Sequence, residues 1–137
     1  MVSNCLVCWL IRVTTAVCLS TDEAEYIAAT EATKDVLWLR NFLTELGFDM
    51  GGPTELFEDN QACVAMVNNH VVTGRNRHFC VKMAWLREQV AKKVVRFVFV
   101  ASRNNLADVF TKILSPDAHA RLAKALLDPK VISTRGE

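Results

Sequence analysis

Residues 20–47 read STDEAEYIAATEATKDVLWLRNFLTELG. Ser20 stands as a helix N-cap with Glu23 three residues on, a capping-box spacing in which each side chain satisfies an orphan backbone donor. Ala24, Ala28, Ala32, Val36, Leu39, Leu43 and Leu46 then recur at helical spacing, and Gly47 supplies the stop. A long amphipathic helix needs a surface to cover, and the sequence on either side offers strands. Upstream, residues 5–19 are rich in β-branched and apolar types, with Arg12, Thr14 and Thr15 marking a turn, which predicts a β-hairpin. The apolar run from Cys5 to Ile11 lacks leading positive charge, is interrupted at Arg12 and is too short to span a membrane.

Downstream, Gly51, Gly52 and Pro53 make a turn into a short strand, Thr54–Glu58. Asp59 or Asn60 then caps a helix from Gln61 to about Asn68. A polar loop over 68–78 precedes a helix marked by Phe79, Met83, Leu86 and Val90. Val94–Val100 reads as a buried strand interrupted by Arg96, after which Asn104 or Asn105 caps a helix bearing Leu106, Val109, Phe110 and Ile113. Ser115 and Pro116 open a last helix, as cap and first helical residue. Strands alternating with helices predict an α/β chain, a mixed sheet flanked by helices. Its expected extent is one domain over 1–127, with a frayed tail over 128–137.

The composition is that of an ordinary soluble globular protein, with 51% hydrophobic and 23% charged residues. A net charge of +1 provides no global basicity, so any surface for nucleic acid has to be local. The local clusters are Arg75, Arg77 and His78, then Lys92, Lys93 and Arg96. The five cysteines are irregularly spaced, which argues against a disulfide framework. Cys5 and Cys8 lack the second pair or histidine that would complete a zinc site, and read as buried thiols. A reducing, intracellular setting, cytoplasm or nucleus rather than a secreted one, is the expectation.

Three acidic residues stand where one element gives way to another. Glu25 is in the first turns of the long helix, Asp59 is at the end of the short strand, and Asp108 opens a helix after the most apolar strand. Taken singly, each has an ordinary explanation, as a cap or as a carboxylate favoured by the helix dipole. Taken together, carboxylates at such junctions can converge on one sheet edge and hold divalent metal, an arrangement suited to phosphodiester hydrolysis.

The sequence around all three points the same way. Ser20-Thr21-Asp22-Glu23-Ala24-Glu25-Tyr26-Ile27-Ala28 resembles the signature of the ribonuclease H domain in copia-type LTR retrotransposon polyproteins. The likeness continues through Glu31-Ala32-Thr33-Lys34, Leu37-Trp38-Leu39-Arg40, Leu46-Gly47 and Asp59-Asn60-Gln61. Arg75 through His78 is similar to that family's arginine-x-lysine-histidine stretch, and Leu106-Ala107-Asp108 with Thr111-Lys112 to its leucine-alanine-aspartate…threonine-lysine motif. The resemblance implies a ribonuclease H-like fold, and cleavage of the RNA strand of an RNA–DNA hybrid beside the reverse transcriptase part of a parent polyprotein. It implies four carboxylates on two magnesium ions, with manganese as a substitute, and sets Glu25, Asp59 and Asp108 on three of those positions. It also brings Arg75, Arg77 and His78 towards the hybrid's phosphates.

Two departures from that pattern matter. No aspartate or glutamate precedes Asp22, so the first central strand and its carboxylate are expected to be missing. Cys80 also stands where relatives often carry an acid. Loss of one anion weakens a magnesium site, because magnesium relies on few carboxylates in demanding geometry. The expectation is therefore a nuclease domain by ancestry, impaired in this chain. The alternative is a non-catalytic nucleic-acid-binding or interaction remnant of a transposon.

Overall fold

A computed structural model describes residues 6, 9–11, 21–68 and 77–127. The chain divides into two units, Thr14–Phe99 and Met1–Val13 with Val100–Glu137. It is mixed α/β and mostly helical, with a small parallel sheet of two strands among the described residues.

The Thr14–Phe99 unit contains α1 (Thr21–Glu45), β1 (Thr54–Glu58), α2 (Gln61–Asn68), α3 (Arg77–Ala91) and β2 (Val95–Phe99). Helix α1 stops where its sequence demands. Gly47 takes φ +86°, its N–H donates to the Thr44 carbonyl at 2.9 Å, and the Phe48 N–H reaches the Leu43 carbonyl at 3.0 Å. This is the Schellman pairing, which needs a left-handed residue at its centre. Helix α3 closes in the same way, with the Lys93 N–H on the Val90 carbonyl at 2.9 Å and the Val94 N–H on the Gln89 carbonyl at 3.1 Å. There the left-handed position, φ +56°, is held by Lys93.

Strands β1 and β2 pair in parallel, with Thr54 opposite Val95 and Glu58 opposite Phe99. Parallel strands cannot be joined by a tight turn, and α2 and α3 provide the crossover. One side of the sheet faces a core of Tyr26, Ala29, Cys63, Val67, Met83, Leu86, Val95 and Phe97, with Leu56 packed against it. The free Cys63 thiol is buried there. Arg96, the interruption in the second strand, faces outward and pairs with Glu55 across the sheet.

The buried face of α1 differs from the expected stripe. Ala28, Ala32 and Leu46 are exposed, whereas Tyr26, Ala29, Thr30 and Thr33 are buried. Threonine can occupy this face because its hydroxyl is satisfied within the helix. Thr30 donates to the Tyr26 carbonyl at 2.9 Å and Thr33 to the Ala29 carbonyl at 2.8 Å. Arg40 ties the far half of α1 to the sheet by donating to the Thr54 hydroxyl at 2.8 Å and the Gly52 carbonyl at 3.1 Å.

The other unit contains a 3-10 turn (Ser102–Asn104), α4 (Asp108–Thr111) and α5 (Pro116–Leu127). Helix α5 begins as expected, with the Ser115 hydroxyl accepting from the Ala118 N–H at 3.4 Å. Helix α4 is shorter than the spacing of Leu106, Val109, Phe110 and Ile113 suggests, and Ile113 is fully exposed. Its turn is opened by Asn105, whose side chain accepts from the Ala107 N–H at 3.1 Å. The expected hairpin over 5–19 falls largely outside the described residues, as does the tail over 128–137.

Candidate functional site

The parallel strand β1 sets up the first part of the site. Its outward residues are Glu55 and Phe57, while Thr54, Leu56 and Glu58 turn towards the helices. The chain leaves β1 at Asp59 and enters α2 at Gln61. Asn60 caps that helix, since its side-chain oxygen accepts from the Cys63 N–H at 3.1 Å. Asp59, which precedes this cap, is half-buried.

Glu25 comes to the same place from α1. Glu25 and Asp59 each lie close enough to Glu58 to act on it electrostatically. Burial pushes the Glu58 carboxyl above its ordinary value, and the charges of Glu25 and Asp59 add to the rise. The backbone N–H groups of Asn60 and Asp59 work in the opposite direction, the former by a 3.0 Å bond to the Glu58 carboxylate. Glu58 did not stand out in the sequence. Its signal was the period-two register with Thr54 and Leu56, which turns it inward beside the acid that follows.

Two of the three predicted carboxylates are thus brought together, and Asp108 lies in the other unit. It opens α4 and is buried. Lys112 is bound to both of its oxygens, at 2.9 Å and 3.0 Å. Helix α4 has only four residues, so its dipole is a weak explanation for an acid there. Among the described residues, no group of three or more His, Cys, Asp or Glu side chains is placed to hold a metal ion. The acids present therefore do not, as arranged, fit the magnesium pair that the resemblance implies.

Of the basic candidates, Arg75 lies outside the described residues. Arg77 and His78 are the first residues of α3 rather than part of the preceding loop. Lys92 is paired with Glu88 at 2.6 Å, as Arg96 is with Glu55. No helix among the described residues is long and apolar enough to cross a membrane.

No family model matches the chain, and no solved structure matches it. Curated relatives do. Over 119 residues, 87% of the chain, it is 34% identical to the retrovirus-related Pol polyprotein from transposon TNT 1-94 of Nicotiana tabacum. It is 30% identical over 118 residues to the corresponding polyprotein from transposon RE1, and 29% to that from RE2, both of Arabidopsis thaliana. The chain spans only 8–9% of the length of these relatives. It is homologous to a short region of retrovirus-related Pol polyproteins from transposons.

Proposed function

We propose that this chain is the ribonuclease H-like region of a retrotransposon Pol polyprotein, whose ancestral task is hydrolysis of the RNA strand of RNA–DNA hybrids. The observation that carries this reading is that Glu25 from α1 and Asp59 at the end of β1 both lie close enough to Glu58 to raise its carboxyl. The resemblance places metal-binding carboxylates at those two positions and at Asp108. Homology to Pol polyproteins supports it, and supports partnership with the reverse transcriptase part of a longer protein.

On its own, the 137-residue chain is proposed to be impaired. Among its described residues, no group of three or more His, Cys, Asp or Glu side chains is placed to hold a metal ion. Glu25, Asp59 and Asp108 are the residues that the resemblance assigns to magnesium. The assay is incubation of the purified chain with a labelled hybrid and magnesium or manganese. Little or no cleavage is expected, and robust cleavage that disappears in Asp59→Asn would overturn the impairment.

The lack of a gathered acidic set also favours a second reading, a non-catalytic nucleic-acid-binding remnant. It predicts hybrid binding that weakens with salt, without turnover. Arg75→Ala and Arg77→Ala should flatten that salt slope, and an unchanged slope would remove the basic segment from consideration.

A further inference from the structure

The second half of α1 turns a set of large apolar side chains to solvent. Trp38 is 65% exposed, Phe42 44% and Leu46 58%, at helical spacing of four, and Phe48 follows the Gly47 stop at 56%. The rings of Trp38 and Phe42 lie parallel, with 5.5 Å between centroids and 2° between planes. At about 200 Å² for a whole side chain, the four expose roughly 400 Å² of apolar surface, a size at which the largest patch of a monomer is often functional. Asp35, Glu45 and Asp49 are exposed in the same stretch. The two cations between residues 31 and 49 are engaged elsewhere: Lys34 pairs with Glu31 at 2.7 Å, and Arg40 donates to Thr54 and Gly52.

That charge selects the occupant. The acids repel the phosphates of nucleic acid and of anionic lipid. A second copy would bring the same acids face to face. A protein surface with an apolar centre and a lysine- or arginine-rich rim meets both the rings and the acids, and a guanidinium can lie on an aromatic face. Area sets a second condition. A standard stable complex buries ~800 Å² on each partner, about twice this patch, so the face suits a partner held on the same chain, where linkage gives a high effective concentration. The chain spans only 8–9% of the length of its Pol relatives, which leaves room for such a partner. Resting on the reading of the chain as a region of a Pol polyprotein, we propose that the Trp38–Phe42–Leu46–Phe48 face of α1 docks a basic-rimmed apolar surface elsewhere in that polyprotein.

The test is hydroxyl-radical footprinting of the isolated 137-residue chain, and of the same chain set in place of its homologous region in the Nicotiana tabacum Pol polyprotein. In the isolated chain Trp38 and Phe42 should label readily at every concentration. In the polyprotein their labelling should fall about threefold or more, as a close-packed contact takes up their exposure. High salt should restore labelling there. So should Glu45→Lys/Asp49→Asn, in which Asn keeps the acceptor for the Gly51 N–H. Unchanged labelling in a polyprotein whose α1 amides stay protected from hydrogen exchange would overturn the docking and leave the Pol reading standing. Loss of that amide protection in the polyprotein, with the isolated chain folded, would overturn both. Protection of the rings that survives the double variant would overturn the basic partner. Protection in the isolated chain that grows with concentration would overturn the proposal in favour of a second copy.

Discussion

Arg87 on α3 donates two hydrogen bonds to a single acceptor, the carbonyl oxygen of Met66 on α2, from Nε at 3.0 Å and from Nη2 at 2.8 Å. Met66 lies in the last turn of α2, where carbonyls have lost their partners within the helix. A planar guanidinium can cap such a group in a way that a point charge cannot. Arg87→Met should therefore cost about 1–2 kcal/mol in urea unfolding, and Arg87→Lys should recover only part of it. An unchanged midpoint in both variants would show that the crossover helices are held by packing alone.

The pH limit of the fold should be reported by one ring. Tyr26 is the chain's single tyrosine, is buried in the core, and reaches the Met83 carbonyl at 3.4 Å. Burial pushes its hydroxyl well above the usual phenol value of 10.0, against a smaller pull from the Arg87 charge. The folded state therefore favours the protonated ring. That preference is fully present below the unfolded value and is lost as pH rises above it. Phenolate absorbance should appear together with loss of helical circular dichroism, in one step. Phenolate forming first, with helix content intact, would contradict the buried placement.

The left-handed residue that ends α3 costs stability. Lys93 holds φ +56°, a conformation in which a Cβ is crowded and glycine is not. Lys93→Gly should raise stability by roughly 0.5–1 kcal/mol, net of the greater freedom of glycine when unfolded. A chemical denaturation curve shifted the other way would indicate that the lysine side chain contributes more than its backbone costs.

At the end of β1, cap and acid should separate by mutation. Asn60→Ala removes the acceptor for the Cys63 N–H and should cost about 1 kcal/mol. Asp59→Asn removes a charge that crowds Glu58, and should be neutral to slightly stabilising at neutral pH. Comparable losses in both variants would return Asp59 to a capping role.

Glu58 gives the same cluster a pH signature. Because its carboxyl is raised, the folded state favours its protonated form, and stability from this group fades as pH rises past the ordinary carboxylate range. Glu58→Gln should thus be more stable than the parent at pH 7. The gain should vanish in acid, and a gain that instead grew in acid would reverse the assignment.

Much of this was legible in the sequence. The span of α1, its stop at Gly47, both strands and the start of α5 follow from spacing, caps and turns. What the pattern missed has a physical cause in each case. Thr30 and Thr33 join Tyr26 on the buried face of α1 because hydroxyls satisfied inside a helix behave as apolar, which a count of hydrophobic residues overlooks. Helix α4 ended early because apolar spacing over so few residues does not fix a length. The flanking motifs singled out Glu25, Asp59 and Asp108 as candidates, but no spacing rule reveals that Lys112 grips one of them or that Glu58 lies near the other two.

The parallel pairing of β1 with β2 has a consequence for the chain as it is made. Glu55 and Arg96 sit side by side in the sheet although 41 positions separate them. On the ribosome, β1 emerges well before the strand that will satisfy its backbone. At roughly 5–20 residues per second, that interval is on the order of seconds, long compared with the microseconds in which α1 can coil. For those seconds β1 exists without the strand on which its backbone hydrogen bonds depend.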